Sequence, residues 1–400
     1  MSLHRSLTVS DTVWAGCLCA GTLLLNACGG GGGGYGNSTP PPMTPPAAKS
    51  FGDQALVGSS SGAIATAKVF DANLQNPWGI AFAPGQAFWI ADNNANVATL
   101  YAGNGTIQTQ AVTGSPSVGI AIPASALGVA ANPTGEVYNG GGGFLISTPK
   151  GKESALFIYD GEGGTIAAWA ADSGASAVTA YDDGVANGAD HAVYKGLALG
   201  TIAGATYLYA TDLHNNKIDV FDTNFSKPAS SQGKFIDPGL PSGYAPFGIA
   251  AVNGQLFVTF AMQDGAKHDE VAGLGMGYVD VFDFSGNFVS RFASAGVLNA
   301  PWGIAVAPAG FGSFNGDVLI GNFGDGTING FAPNGTALSM SVGPLKASNG
   351  ASLAFPGLWS LVFGNGDADK PVTTLFYTAG FANQTTGVFG AITVNSSTGY

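Results

Sequence analysis

The strongest constraint on this chain is a phrase that it repeats. It is written first as Asn76-Pro77-Trp78-Gly79-Ile80-Ala81-Phe82 and again as Ala300-Pro301-Trp302-Gly303-Ile304-Ala305-Val306. Looser copies read Ala245-Pro246-Phe247-Gly248-Ile249-Ala250 and Tyr194-Lys195-Gly196-Leu197-Ala198-Leu199, and a degenerate one reads Gly357-Leu358-Trp359-Ser360-Leu361-Val362. Each is followed by a turn and a second apolar run that closes on small polar residues, as in Phe88-Trp89-Ile90-Ala91-Asp92. Self-similarity on this scale means that one supersecondary unit recurs and that neighbouring units bury each other's faces.

The unit is made of strands. Glycine is abundant, at 63 residues, and charged residues are only 10% of the chain. Valine, isoleucine, phenylalanine, tyrosine and threonine dominate the apolar runs, which is the composition of short strands joined by tight turns. No sustained 3.6-residue apolar period follows the N-terminus, so the fold class is all-β. The formal net charge of −12 speaks against nucleic acid and against adhesion to anionic lipid, both of which need a surplus of Lys and Arg on one face.

Six units of four strands can be written between residues 65 and 394. The first holds Gly79–Ala83, Ala87–Ala91, Val97–Ala102 and Thr106–Val112; the second holds Gly135–Asn139, Phe144–Ser147, Ala155–Tyr159 and Thr165–Ala170. The third ends on a weaker strand at Gly233–Ile236, and the fifth ends on Ala337–Val342 after an Asn334-Gly335 turn. The sixth has three strands at the C-terminus, and Ala65–Asp71 is expected to supply its missing outer strand. The expectation is a six-bladed β-propeller of four-stranded blades, closed by an N-terminal strand that completes the last blade. Small residues such as Gly79, Ala81, Gly303 and Ala305 suit innermost strands crowded around an axis.

Residues 64–394 resemble an NHL-type six-bladed propeller, and more closely an uncharacterised family of bacterial secreted propeller proteins. The phrases that carry the resemblance are the first copy above, Tyr194 to Gly200, Gln263-Asp264-Gly265-Ala266-Lys267-His268-Asp269-Glu270 and Gly321-Asn322-Phe323-Gly324-Asp325-Gly326-Thr327-Ile328-Asn329. The resemblance implies a fold and an exported location, and no activity.

Residues 1–27 read as a secretory signal peptide: Arg5 lies near the start, and an apolar stretch runs from Val13 to Leu25. That stretch is shorter than the ~20 residues of a membrane-spanning helix. Its end, Leu25-Asn26-Ala27-Cys28-Gly29, resembles a bacterial lipobox, with Cys28 as the lipidated residue. All three cysteines (Cys17, Cys19 and Cys28) lie here, which removes disulfides, thiolate metal sites and cysteine nucleophiles from the rest of the chain. Residues 28–50, rich in Gly and Pro, are expected to form a disordered tether, and 51–400 a single propeller domain. The expected address is extracytoplasmic, as an outer-membrane-anchored or cell-surface lipoprotein, touching membrane only through its N-terminal lipid.

In such a fold the loops leading into the innermost strands and those after the second strands open on one face. The lead-in positions include Trp78, Lys195, Phe247, Trp302 and Trp359. The second-strand loops carry Asp92 and Asn94, Asp212 and His214, Asn322 and Asp325. An aromatic rim with amides and carboxylates suits a planar hydroxylated ligand such as a sugar; the same rings could equally plug the funnel, and Asp or Asn at strand ends also serve as turn formers. The longest loop places Asp264, His268, Asp269 and Glu270 together, a set that could hold calcium or magnesium, although D-x-D-x-D-G spacing is missing. No zinc motif or phosphate loop occurs. The functional expectation is a binding module for a small molecule, glycan or envelope protein; the alternative is a divalent-metal-dependent hydrolase or lactonase.

Overall fold

The computed structural model describes residues 50–395 apart from 63, 113, 114, 118, 232 and 334–337. The expected signal peptide, Cys28, the tether up to residue 49 and the Asn334-Gly335 turn lie outside those residues. Six antiparallel sheets are arranged in a ring, their inner strands neighbouring one another in cyclic order. Those inner strands are Pro77–Phe82, Pro133–Tyr138, Tyr194–Ile202, Tyr244–Val252, Pro301–Val306 and Leu358–Phe363. They open blades 1 to 6 respectively.

The repeated phrase is explained by a bulge. In each blade the pairing of inner and second strands slips near the start, for example between Pro77 and Ile80 and between Pro246 and Ile249. At the bulge a Cβ on Gly79, Gly135, Gly196, Gly248 or Gly303 would come under 3.0 Å from backbone of the next blade. Glycine is therefore required where blades converge. A side chain from the second strand stitches the bulge: Thr259 Oγ1 accepts from Gly248 N at 2.8 Å, and Asp160 Oδ1 from Gly135 N at 2.6 Å. Thr211 Oγ1 donates to the Phe247 carbonyl at 2.6 Å and Thr378 Oγ1 to the Trp78 carbonyl at 2.6 Å, so the stitch also reaches the following blade.

The ring closes with a different strand from the one expected. Phe51–Gly58 pairs antiparallel with Val388–Val394 as the fourth strand of blade 6, and Val69–Phe70 only adds a short parallel fifth strand outside it. Burial decides this. Phe51, Leu56 and Val57 are buried, and the Phe51 ring packs on Phe311 and Phe314 at 4.9 and 5.6 Å, whereas Phe70 is exposed.

Other outer strands also differ from expectation. In blade 1 the fourth strand is Gly119–Ala121, and Gln110–Val112 instead forms a separate hairpin with Ser115–Ser117. In blade 2 the run from Phe144 contributes to a hairpin of Leu145–Thr148 with Gly151–Ser154; the blade continues through Phe157–Gly161, Thr165–Trp169 and Val178–Asp182. Among the described residues blade 3 has three strands, without one at 233–236, and the outer strand of blade 5 is Ser341–Pro344. Apolar alternation finds strands, but it does not say which strand they pair with.

Candidate functional site

The axis is closed near the loop face by aromatic rings. Trp78 stacks on Trp359 and meets Trp302 and Phe247 edge-on at 5.8 and 6.3 Å, while Phe323 stacks on the Trp359 ring at 4.3 Å. Trp78, Phe247, Trp302 and Trp359 are all buried. Trp302 Nε1 donates to the Lys195 carbonyl and Trp359 Nε1 to Asn76 Oδ1, each at 2.9 Å. The four rings therefore form a plug rather than a rim, with edge-to-face pairs worth about 0.5–1.5 kcal/mol each beyond their burial. Beneath it, toward the opposite face, the inner strands enclose a cavity of about 370 Å³ whose lining includes Ile80, Val137, Leu199 and Ile249.

A polar girdle lies over the plug. Asn76 Nδ2 donates to Gln384 Oε1 at 2.9 Å and to Asn93 Oδ1 at 3.3 Å, and Asn93 Nδ2 donates to Glu162 Oε2 at 3.0 Å. The other oxygen of Glu162 pairs with the Lys195 ammonium, which also lies 3.5 Å from Asp269 Oδ1 and 5.3 Å over the Trp78 ring. His268 Nδ1 contacts Asp269 Oδ1 at 3.0 Å. The chain of contacts thus runs through loops of blades 6, 1, 2, 3 and 4.

The electrostatics follow from burial and pairing. Burial works to lower the Lys195 pKa, but Glu162, Glu270 and Asp269 together raise it above the usual lysine value, so a charged ammonium sits inside the protein. The hydrogen bond from His268 holds Asp269 down to about 2, and the same bond raises His268. Burial pushes Glu270 up to about 7 against the pull of Lys195. The Asp269 and His268 side chains are 64% and 47% exposed, so the outer edge of this cluster faces solvent.

Most of the remaining expected residues are occupied by architecture. Asp92 is fully buried, accepts from Thr99 Oγ1 at 2.7 Å, and is pushed well above the carboxylate range by burial. Asp212 accepts from Val193 N, Asn215 N and Asn215 Nδ2, and Asn322 is buried against the Val297 carbonyl and Thr327. Asp264 receives the backbone N–H groups of His268 and Asp269 and so shapes its own loop. Asn94 Nδ2 donates to the Gln384 carbonyl at 2.7 Å. His214 is half-buried and its carbonyl accepts from Gln263 Nε2 at 3.3 Å, and Asp325 is exposed while capping a turn to Thr327. Sequence reasoning missed Asn76, Asn93 and Glu162. Only a ring topology brings Glu162 beside Lys195, and the one available signal was its place after the second strand of a correctly drawn blade 2.

Glu162, His268 and Asp269 offer ligand atoms that lie within 4.8 Å of one another. The Lys195 ammonium already pairs with both carboxylates. The trio fits a divalent ion only once that ammonium moves aside.

The fold and its plugged axis define a six-bladed β-propeller whose ring is closed by an N-terminal strand. The chain belongs to the family of uncharacterized protein L690 of Acanthamoeba polyphaga mimivirus, with which it is 33% identical over 334 residues, 80% of this chain and 81% of the viral one. Uncharacterized protein R648 of the same virus is 32% identical over 331 residues, covering 80% and 76%. No family model matches the chain. Among solved structures, virginiamycin B lyase from Staphylococcus aureus is similar at 16% identity and a TM-score of 0.44, over 86% of this chain and 100% of the lyase. A glucose dehydrogenase is similar at 13% and 0.47, over 86% and 100%. Neither likeness bears on what this chain does.

Proposed function

We propose that the protein is a binding module that takes a small ligand rich in hydrogen-bond donors at the loop face, over the Glu162–Lys195–His268–Asp269 cluster. The observation that carries the reading is the girdle itself. A chain with few charges gathers these four ionisable groups from three blades above a closed axis, and leaves Asp269 and His268 open to solvent. Carboxylates held this way accept from amines or hydroxyls without first being reorganised. The test is thermal unfolding of the protein against a panel of polyamines and polyols. A native-state ligand raises the midpoint with concentration, and Asp269→Asn should abolish the rise. No rise with any member of the panel would overturn the reading.

A second reading, metal-assisted hydrolysis, is favoured by the Glu162–His268–Asp269 trio alone. It predicts a midpoint lowered by EDTA and restored by one of calcium, magnesium, manganese or zinc. We further propose bacterial export with Cys28 lipidated, on the strength of the Leu25-Asn26-Ala27-Cys28 run. Incorporation of labelled palmitate by the wild type but not by Cys28→Ala checks it.

A further inference from the structure

A second groove opens on the same face, between blades 5 and 6 and with Ala272 of the blade 4 loop at its edge. Its volume is about 390 Å³, within the range of small-ligand sites. Phe323 lines it while spending one ring face on Trp359. Opposite lies the turn Ala382-Asn383-Gln384, three successive residues without a glycine at φ of 50°, 54° and 65°. Glycine would occupy that left-handed conformation with no Cβ penalty; alanine and glutamine do not. The turn is held from behind, because Asn76 Nδ2 donates to Gln384 Oε1 and Asn94 Nδ2 to the Gln384 carbonyl. Strain that the surroundings impose in this way is characteristic of ligand clamps.

We propose that this groove binds a sugar ring. A sugar has an apolar C–H face and a rim of hydroxyls. The part of the Phe323 ring that lines the groove meets the first. The exposed Asn383 carboxamide, which bonds no other described residue, meets the second, beside Asp325 Oδ2, which accepts from Asn299 Nδ2 at 3.3 Å. The left-handed turn sets Asn383 at the edge of the groove before any ligand arrives, which reduces the ordering cost of binding. This goes beyond the reading of the charged cluster, since none of its four residues lines the groove and the girdle reaches the groove only through Gln384.

The experiment is isothermal titration of the full-length protein with glucose, galactose, N-acetylglucosamine, cellobiose and chitobiose. At least one should bind with a Kd on the order of 1 mM or tighter. Phe323→Leu, which keeps an apolar side chain on Trp359 but no π face, should weaken binding at least tenfold. Ala382→Gly should weaken it several-fold while raising the unfolding midpoint by about 1–3 °C, as relieved strain requires. Asn383→Ala, a surface change, provides the same binding readout should Phe323→Leu fail to fold. Heat from no sugar, or binding indifferent to both Phe323→Leu and Asn383→Ala, would overturn the proposal. Sugar binding lost in Asp269→Asn alone would also overturn it, by moving the sugar to the charged cluster and leaving the loop-face reading intact.

Discussion

Replacing Lys195 with methionine isolates what the buried cation contributes. The Lys195 side chain is 1% exposed and that of its partner Glu162 12%, so the change leaves a nearly buried carboxylate without its counter-charge. Breaking a buried pair costs about 3–5 kcal/mol. The lower end applies here, about 3 kcal/mol, because Asn93 still donates to Glu162 and the exposed Asp269 loses little. In a propeller of this size that is a midpoint lowered by about 4 °C.

The loss also depends on pH. Desolvation pushes the partly buried Glu270 up to about 7, and Lys195 holds it down. An acid whose folded pKa lies above its unfolded value keeps a proton that the unfolded chain releases. Stability from it is full below the unfolded value and is lost as pH rises through the folded one. Removing Lys195 lifts Glu270 further, so the deficit of the variant should be larger at pH 8 than at pH 5. Urea and thermal unfolding at the two pH values measure it. Adding Glu162→Gln to Lys195→Met should recover much of the loss. A variant as stable as wild type at pH 8, or a deficit identical at both pH values, would refute the reasoning.

Two further outcomes concern the ring. Phe51→Ala should cost about 3–5 kcal/mol, the range for a buried phenylalanine, and Val69→Ala under about 1 kcal/mol, since only a two-residue parallel edge depends on it; denaturant melts with the order reversed would return the closing role to residues 65–71. Gly248→Ala drives a Cβ onto the Trp302 carbonyl of the next blade, at a cost of about 1–3 kcal/mol for overpacking, whereas Ser360→Gly at the equivalent place in blade 6 should be close to neutral by the same melts.

The repeated phrase marked five of the short-stranded sheets, because a bulge at Trp78-Gly79 or Phe247-Gly248 is a local event with a local spelling, and the strand pattern from Gly135 onward supplied the sixth. It also located the aromatic residues that meet on the axis. It did not say that those rings face one another, because a tryptophan that plugs a funnel and one that lines it are spelled alike; only the stacking of Trp78 on Trp359, 281 positions apart in the chain, separates them. The closing strand was misassigned for a related reason. Val69-Phe70-Asp71 echoes other strands, but Phe51 finds the pocket between Phe311 and Phe314 and buries more. Lys195 could be singled out as an unusual cation, while its partner Glu162 could not, since closing the ring brings them together and no pattern along the chain encodes that distance. Periodicity belongs to neighbours in sequence; charge pairing, burial and clefts belong to neighbours in space, and in a closed ring these are different sets of residues.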